Sequence, residues 1–285
     1  MERYITTHKY AHMLSLQKHH ITDLYVLVDE LLPKMITRTV GRKSLLSNSE
    51  LVTILLWNSL TVQSKTLKTI HKWVSMYHTN EFPNIPKYNA FIEHCHRAIP
   101  QFMYVLEQLL CKDMPVRFVD STMVPVCKIV RADSHKVAKS VAAFGKNHQG
   151  WHYGFKLHAS IDHKGRLCQI TMTPADVHDA QALPKLVNNH TKIAVGDAGY
   201  TARVMARNLF EKYGTIIISP PHYKQKRKVM TRWQHLLLTM RPKIESTFDI
   251  LKEHMHFVTS FPRSLKGFLL HYVRILIGYQ ICAFS

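Results

Sequence analysis

The chain has 285 residues, of which 46% are hydrophobic and 20% are charged, a composition that supports a folded core and excludes a largely disordered protein. Its five Cys residues include no CxxC pair, which argues for a reducing compartment and against a structural zinc site. The 38 Lys and Arg residues outnumber the 19 Asp and Glu residues, and the net charge of +19 favours a polyanionic partner, either nucleic acid or a membrane surface.

The positive charge is concentrated in the second part of the sequence. Residues 1–119 carry 14 basic and 9 acidic side chains, whereas residues 120–285 carry 24 and 10. We therefore expect the polyanion to contact mainly the second part.

A membrane partner is not expected. The longest apolar stretch, residues 267–284, contains Arg274 near its centre, and a central Arg costs about 2.5–3.5 kcal/mol in a membrane span. We interpret this stretch as a core helix. The first 20 residues show no apolar segment of the secretory type, so we expect a cytoplasmic protein.

Residues 1–112 are predicted to form an all-α N-terminal domain. Apolar residues recur with a helical period over residues 22–35 and 47–60, and Ser47 followed three residues later by Glu50 predicts a capping box. A third helix is predicted over residues 65–77. Three short successive helices are compatible with a helix-turn-helix-like DNA-binding domain, but a small bundle with no role in DNA binding has the same pattern.

Residues 113–285 are predicted to form an α/β domain, because strand patterns replace helix patterns there. A helix ending near residue 111 precedes the boundary. The predicted elements, in chain order, are strands 116–122 and 124–130, an exposed loop 131–150, a hairpin of strands 153–162 and 165–174, helix 175–189, strand 191–195, helix 202–212, strand 215–219, a basic loop 220–232, and helices 233–254 and 265–284. Successive strands followed by alternating strands and helices indicate a mixed α/β sheet.

Three carboxylates are candidates for a catalytic metal site. Asp120 and Asp197 each follow a predicted buried strand, and α/β sheets bind ligands at the C-terminal ends of their strands. Glu245 lies on a helix that would pack across the same sheet. Such oxygen ligands suit Mg²⁺ or Mn²⁺, and two ions about 3.5–4 Å apart can catalyse an in-line displacement at a phosphodiester. Taken alone, either Asp could instead cap the following turn.

The helix that carries Glu245 has a basic stripe. Arg241, Glu245, Phe248 and Lys252 fall within an arc of roughly 60° on an ideal helix, at the edge of its buried face. An ordinary amphipathic helix with charge pairs four residues apart has the same pattern. Asp249 lies one turn after Glu245 and is predicted to point more toward solvent.

Other polar residues have competing interpretations. The basic loop before the Glu245 helix is predicted to contact DNA phosphates, although it could be only solvated. Asp176 and Asp179 flank His178 at a predicted helix start, where helix capping is the preferred interpretation. The basic residues of the loop before the Glu245 helix are Lys224, Lys226, Arg227 and Lys228.

The motifs FVDST, YGFKLH, TPADVHD, GDAGY and RPKIESTFDILK, in this order, resemble the DDE transposases of bacterial insertion sequences, specifically the insertion sequence 982 family. The segments LSNSELVTILLW and FPNIPKYNAF extend the resemblance into the helical part. It implies a ribonuclease H-like mixed-sheet catalytic domain with Asp120, Asp197 and Glu245 as the catalytic, metal-binding triad. The Arg-x3-Glu-x6-Lys spacing implies that Arg241 and Lys252 bind DNA.

Further details of the motifs bear on DNA contacts. Lys156 in YGFKLH is another candidate DNA-binding residue. Relatives often have Tyr where this chain has Leu238, and Lys where it has Ala198. DNA contacts attributed to that Tyr and that Lys are therefore not expected here.

The resemblance implies a DNA transposase that uses Mg²⁺ or Mn²⁺, with two ions expected. It would hydrolyse phosphodiester bonds at the ends of its mobile DNA element, the insertion sequence, and transfer the 3′-hydroxyl ends to target DNA. The expected partners are double-stranded DNA, as terminal inverted repeats and target, and further copies of the chain in a homodimer or higher oligomer. The expected location is the bacterial cytoplasm, in association with the nucleoid. The alternatives are a ribonuclease H-like nuclease without strand transfer and a non-catalytic DNA-binding regulator.

Overall fold

The computed structural model describes residues 20–33, 44–147, 150–200, 203–221 and 229–284. The chain folds into two compact units. The first comprises Met1–Leu109 and Met255–Ser285, and the second comprises Leu110–His254. The predicted division at residue 112 differs from this grouping mainly in the last helix, because a sequence pattern does not reveal which distant elements a helix packs against.

The secondary structure can be given in chain order. The helices are α1 (Ile21–Leu31), α2 (Asn48–Leu60), α3 (Leu67–Tyr77), α4 (Tyr88–Arg97), α5 (Ile99–Leu109), α6 (Asp179–Ala182), α7 (Arg203–Tyr213), α8 (Arg232–Met240), α9 (Pro242–Asp249) and α10 (Leu265–Phe284). The strands are β1 (Val116–Pro125), β2 (Ala143–Asn147), β3 (Gly150–Ile161), β4 (Leu167–Pro174), β5 (Ile193–Val195) and β6 (Ile216–Ile218).

The secondary-structure elements described in the first unit are all helices, and the predicted capping box begins α2. Ser47 Oγ accepts the Glu50 N–H at 3.1 Å, and Glu50 Oε2 accepts the Ser47 N–H at 2.6 Å. The helix expected up to residue 111 is instead divided into α4 and α5. Pro100 explains the division, since a proline in the first turn of a helix has no N–H with which to continue the preceding one.

The C-terminal helix α10 is a core helix, as predicted, but it belongs to the first unit and not to the second. By length and composition α10 could cross a membrane, but 72% of its most apolar 18-residue stretch is buried inside the protein. It packs against α2 and α5. Arg274 is 2% exposed and donates to Ser59 Oγ and to the Ser64 carbonyl, both at 2.8 Å. These bonds satisfy a charge that would be costly in a membrane.

The second unit is built on a six-stranded mixed sheet with β1 at its centre. β1 is antiparallel to β3 and parallel to β5, and β5 is parallel to β6. On the other side of β3, β2 and β4 pair with successive halves of that strand. This arrangement is that of a ribonuclease H-like α/β domain preceded in the sequence by an all-α part, so the predicted fold class is confirmed.

Local sequence patterns failed where long-range pairing decides the structure. The predicted turn after residue 122 is wrong, because β1 continues to Pro125 and pairs there with Gly154 of β3. The predicted loop 131–150 contains β2, a short strand that pairs with β3. The helix expected over residues 175–189 is reduced to α6 and a 3-10 turn at Leu183–Lys185, which contains Pro184.

The long helix expected over residues 233–254 has two interruptions. α8 ends at Met240 and α9 begins at Pro242, which has no N–H to donate to the helical ladder. Arg241 between them keeps helical angles, with φ −57° and ψ −37°, so the chain does not reverse. A π-helical turn follows α9 over Ile250–His254.

Candidate active site

The parallel pairing of β1 and β5 brings Asp120 and Asp197 to equivalent positions. Phe118 of β1 pairs with Val195 of β5, and each Asp lies two residues beyond this pair. Asp120 lies within β1, whereas β5 ends at Val195 and Asp197 lies in the turn just beyond it. The predicted end of the strand at Asp120 is wrong, because β1 continues to Pro125, but the negative charge of Asp197 contributes to raising the pKa of Asp120, so the two carboxylates are close together.

Backbone groups hold Asp197 in the GDAGY turn. Asp197 Oδ1 accepts the Gly199 N–H at 2.9 Å. A Cβ at Gly196 would lie 2.8 Å from the ring of Tyr200 and 3.0 Å from Val119 Cγ2, closer than such atoms can approach. The absence of a side chain at Gly196 thus lets the Tyr200 ring and β1 pack beside the turn that carries the carboxylate.

We expect Gly196→Ala to destabilise the protein by about 1–3 kcal/mol, since an added methyl group must displace Tyr200 or Val119. Urea unfolding monitored by circular dichroism measures this change. Ala198→Ser, at an exposed position of the same turn, is the control and should change stability by less than about 0.5 kcal/mol. Equal stability of the two variants would show that the turn tolerates a side chain.

Arg241 joins Asp120 to Glu245. Its Nη2 donates to Asp120 Oδ2 at 2.7 Å, and its Nη1 donates to Glu245 Oε1 at 2.8 Å. Helix α9 packs on β1 and buries Ile244 and Phe248, which positions these polar groups. The side chains of Asp120 and Arg241 are 14% and 20% exposed, and that of Glu245 is 53% exposed. A single guanidinium thus bridges the first and third candidate carboxylates.

Asp120 lies in an electrostatically unfavourable position. Burial raises the pKa of Asp120 to about 6, and the negative charges of Asp197 and Asp179 act in the same direction. The Arg241 guanidinium and the Ser121 N–H, which donates to Asp120 Oδ1 at 2.8 Å, oppose the rise. Additional positive charge near Asp120 would therefore stabilise the ionised carboxylate.

The donor set suits a hard divalent cation. Carboxylate oxygens are the side-chain ligands that Mg²⁺ and Mn²⁺ prefer, and the three predicted ligands, Asp120, Asp197 and Glu245, lie on three separate segments of the chain. Within the described parts of the chain, no three His, Cys, Asp or Glu side chains already form a metal cluster. In this arrangement the cation between Asp120 and Glu245 is the Arg241 guanidinium.

Asp179 is a further carboxylate of this region, and its predicted role as a helix cap is wrong. The N-cap of α6 is His178, whose Nδ1 accepts the Ala180 N–H at 3.2 Å. Asp179 Oδ1 instead accepts from Ser121 Oγ at 2.7 Å and from Lys156 Nζ at 3.1 Å. The TPADVHD motif pointed to Asp179 in the sequence. Its contact with Ser121 of β1 could be recognised only in the folded structure.

Lys156 is engaged within the protein. Besides Asp179, its Nζ bonds the Val177 carbonyl at 2.9 Å, and its side chain is 12% exposed. The register pairs Lys156 with Met123, which places it on the opposite face of the sheet from Asp120. A DNA contact by Lys156 stays a prediction.

The basic stripe of the Glu245 helix is altered after Asp249. The π turn over Ile250–His254 places Lys252 at a different angle from that on an ideal α-helix. Burial lowers the pKa of Lys252, while Asp249 and Glu253 oppose the shift. The other predicted DNA-binding residues lie outside the described residues: Lys224, Lys226, Arg227 and Lys228.

Comparison with known proteins gives one family match. A family model described as "Transposase DDE domain" matches residues 111–265. No solved structure matches the chain. The matched segment contains Asp120, Asp197 and Glu245 and covers more than half of the sequence, and the chain therefore belongs to the DDE transposase domain family.

Proposed function

We propose that the chain is the transposase of a bacterial insertion sequence related to the insertion sequence 982 family. Its family membership makes it a metal-dependent enzyme that cleaves DNA. In the proposed reaction it hydrolyses phosphodiester bonds at the element ends and transfers the freed 3′-hydroxyls to target DNA. The observation that carries the proposal is the bridge from Asp120 through Arg241 to Glu245, with Asp197 in the turn that follows the adjacent strand β5.

Each residue of the site has a role in this proposal. Asp120, Asp197 and Glu245 would hold Mg²⁺ or Mn²⁺, two ions in all, which when bound activate the attacking oxygen and stabilise the leaving oxygen. Arg241 presents a planar guanidinium whose geometry also matches phosphate oxygens. It would contact a DNA phosphate when a metal ion replaces it between the carboxylates. Lys252 would contribute a second positive charge.

The partners follow from the same proposal. The substrate is DNA, and we propose the terminal inverted repeats and the target as its two forms. Residues 120–285 carry 24 basic and 10 acidic side chains, a surplus that suits contact with a phosphate backbone. Transposition joins two element ends, so we propose a homodimer or higher oligomer acting in the bacterial cytoplasm at the nucleoid.

A single assay tests the proposal. End-labelled duplexes from both sides of the coding sequence are incubated with the protein, Mg²⁺ and a circular target plasmid, and the products are separated on denaturing gels. We expect cleavage at the element end and covalent joining of the labelled 3′ end to the plasmid. Cleavage without joining would indicate a nuclease, and binding without cleavage would indicate a regulator.

A further inference from the structure

The first unit contains a cavity of about 170 Å³ at the N-terminal ends of α3 and α10. Its lining includes three cationic side chains, Lys65, Arg263 and Arg274, and two histidines, His96 and His271, whose pKa values burial lowers. Among the described residues that line it, none carries a carboxylate. The local charge is therefore positive, which favours an anionic occupant.

Two helix N-termini add to this positive potential. Thr66, the N-cap of α3, and Ser264, directly before α10, both line the cavity. The Thr66 hydroxyl accepts the Thr69 N–H at 3.2 Å, and the Ser264 hydroxyl accepts the Gly267 N–H at 3.1 Å. Each N-terminus carries about half a positive elementary charge from its helix dipole.

Arg274 supplies a fixed positive charge at the inner wall. It is 2% exposed, and burial lowers its pKa to about 10, so it stays protonated at neutral pH. Its guanidinium donates to Ser59 Oγ and the Ser64 carbonyl and lies 3.2 Å from His271 Nδ1. Burial and Arg274 lower the pKa of His271 to about 3, so these partners are neutral at pH 7. The bonds therefore orient the guanidinium without cancelling its charge.

The cavity is larger than an ion needs. Its volume of 170 Å³ compares with roughly 30 Å³ for one water molecule in the liquid. Apolar side chains also line it, among them Leu67, Ile92 and Leu270, which we call its apolar wall. An occupant should therefore combine an anionic group with a compact, weakly polar part.

We propose that this cavity binds a phosphate group of DNA together with its adjoining deoxyribose. The phosphate would lie between Lys65, Arg263 and the two helix N-termini, and the sugar would pack on the apolar wall. DNA is the substrate of the family, and the assignment rests on the proposed function only in naming DNA as the source of the phosphate. The site gives the helical unit a defined contact with the nucleic acid backbone.

The test compares two double variants with the same loss of charge. Lys65→Gln with Arg263→Gln removes two cations of the cavity, whereas Lys72→Gln with Arg97→Gln removes two exposed cations of α3 and α4 outside it. Fluorescence anisotropy with a labelled duplex taken from beside the coding sequence gives the affinity at several salt concentrations. We expect the cavity variant to bind about three- to tenfold more weakly and to reduce the salt slope of log K by about 0.9 per lost phosphate contact. The control should change affinity by less than about twofold. Equal effects in the two variants would overturn the proposal.

Leu67→Trp tests the cavity itself, because it fills volume on the apolar wall and leaves the charge unchanged. We expect it to weaken DNA binding while circular dichroism shows a folded protein. Unchanged binding by this folded variant would overturn the placement of the phosphate and sugar inside the cavity.

Inorganic phosphate separates DNA from a free anion as the occupant. We expect it to raise the melting temperature of the wild type and the control variant but not that of the cavity variant. If phosphate protects the protein while the cavity variant keeps the wild-type DNA salt slope, the ligand is a free anion and the proposal is wrong. The proposed function has a separate readout, since it fails if the wild-type protein does not both cleave the element end and join it to the target with Mg²⁺.

Discussion

Asp120→Asn is expected to lower Mg²⁺-dependent DNA cleavage by at least about a thousandfold while leaving DNA affinity unchanged or slightly higher. An amide is a much poorer ligand for a hard divalent cation than a carboxylate, which accounts for the loss of chemistry. Affinity should persist because basic side chains supply it, and the substitution removes one negative charge. Gel assays measure cleavage, and anisotropy measures binding of the same duplex. If a folded Asp120→Asn protein lost binding and cleavage to the same extent, Asp120 would belong to the DNA contact surface and not to a metal site.

The same substitution should stabilise the fold in the absence of metal. The pKa of Asp120 is raised to about 6, above its value in an unfolded chain, so the folded state binds this proton more tightly. The cost of ionisation is therefore absent well below pH 4, grows as the pH rises between the two pKa values, and is complete above about pH 6. We expect Asp120→Asn to add about 1–2 kcal/mol to the free energy of unfolding at pH 8. This gain is smaller than the raised pKa alone implies, because Arg241 loses the charged carboxylate of Asp120 as a partner.

Urea titrations in EDTA at pH 4.5 and pH 8 measure this pH dependence. Ser246→Ala serves as the control, since it changes an exposed side chain of α9 that carries no charge. Its effect should be the same at both pH values. A stabilisation by Asp120→Asn that is equally large at pH 4.5 would contradict the raised pKa.

The positions of Asp120 and Asp197 could be predicted from the sequence because local patterns determine them, although Asp120 lies within β1 and not at its end. Asp120 and Asp197 each follow a short apolar run, and a parallel sheet places such positions side by side. The hairpin of β3 and β4 was predictable for the same reason, since the turn is closed by Asp162, which accepts the N–H groups of Lys164 and Arg166. Short-range chemistry was sufficient in these cases.

The electrostatic contacts of the site could not be predicted, because they join residues far apart in the chain. Arg241 was expected to bind DNA, yet it bonds Asp120, which lies 121 positions earlier. Asp179 was expected to cap a helix, yet it accepts a hydrogen bond from Ser121 on the central strand. Helix periodicity indicates which residues share a face, but it does not identify the element that the face meets.

Glu245→Gln is expected to lower cleavage and strand joining by at least about a thousandfold, whereas Asp249→Asn should stay within about threefold of the wild type. Both carboxylates lie on α9, at exposed positions four residues apart. Glu245 is in the first turn and reaches the Arg241 guanidinium that also holds Asp120. Asp249 is the last residue of that helix, beside the π turn. Burial lowers the pKa of Lys252 and the charge of Asp249 opposes this shift, which points to a role for Asp249 outside the carboxylate cluster.

The two variants form a matched pair, since each replaces one carboxylate of the same helix with its amide. They are compared at equal folded concentration with Mg²⁺ and with Mn²⁺, and each must bind DNA as the wild type does. Mn²⁺ tolerates altered ligand sets better than Mg²⁺, which demands near-ideal octahedral geometry, so any residual activity of Glu245→Gln should be larger with Mn²⁺. An active Glu245→Gln beside an inactive Asp249→Asn would assign the third metal ligand to Asp249. The ion pair between Arg241 and Glu245 would then be a structural contact of α9, because its loss would leave the chemistry intact.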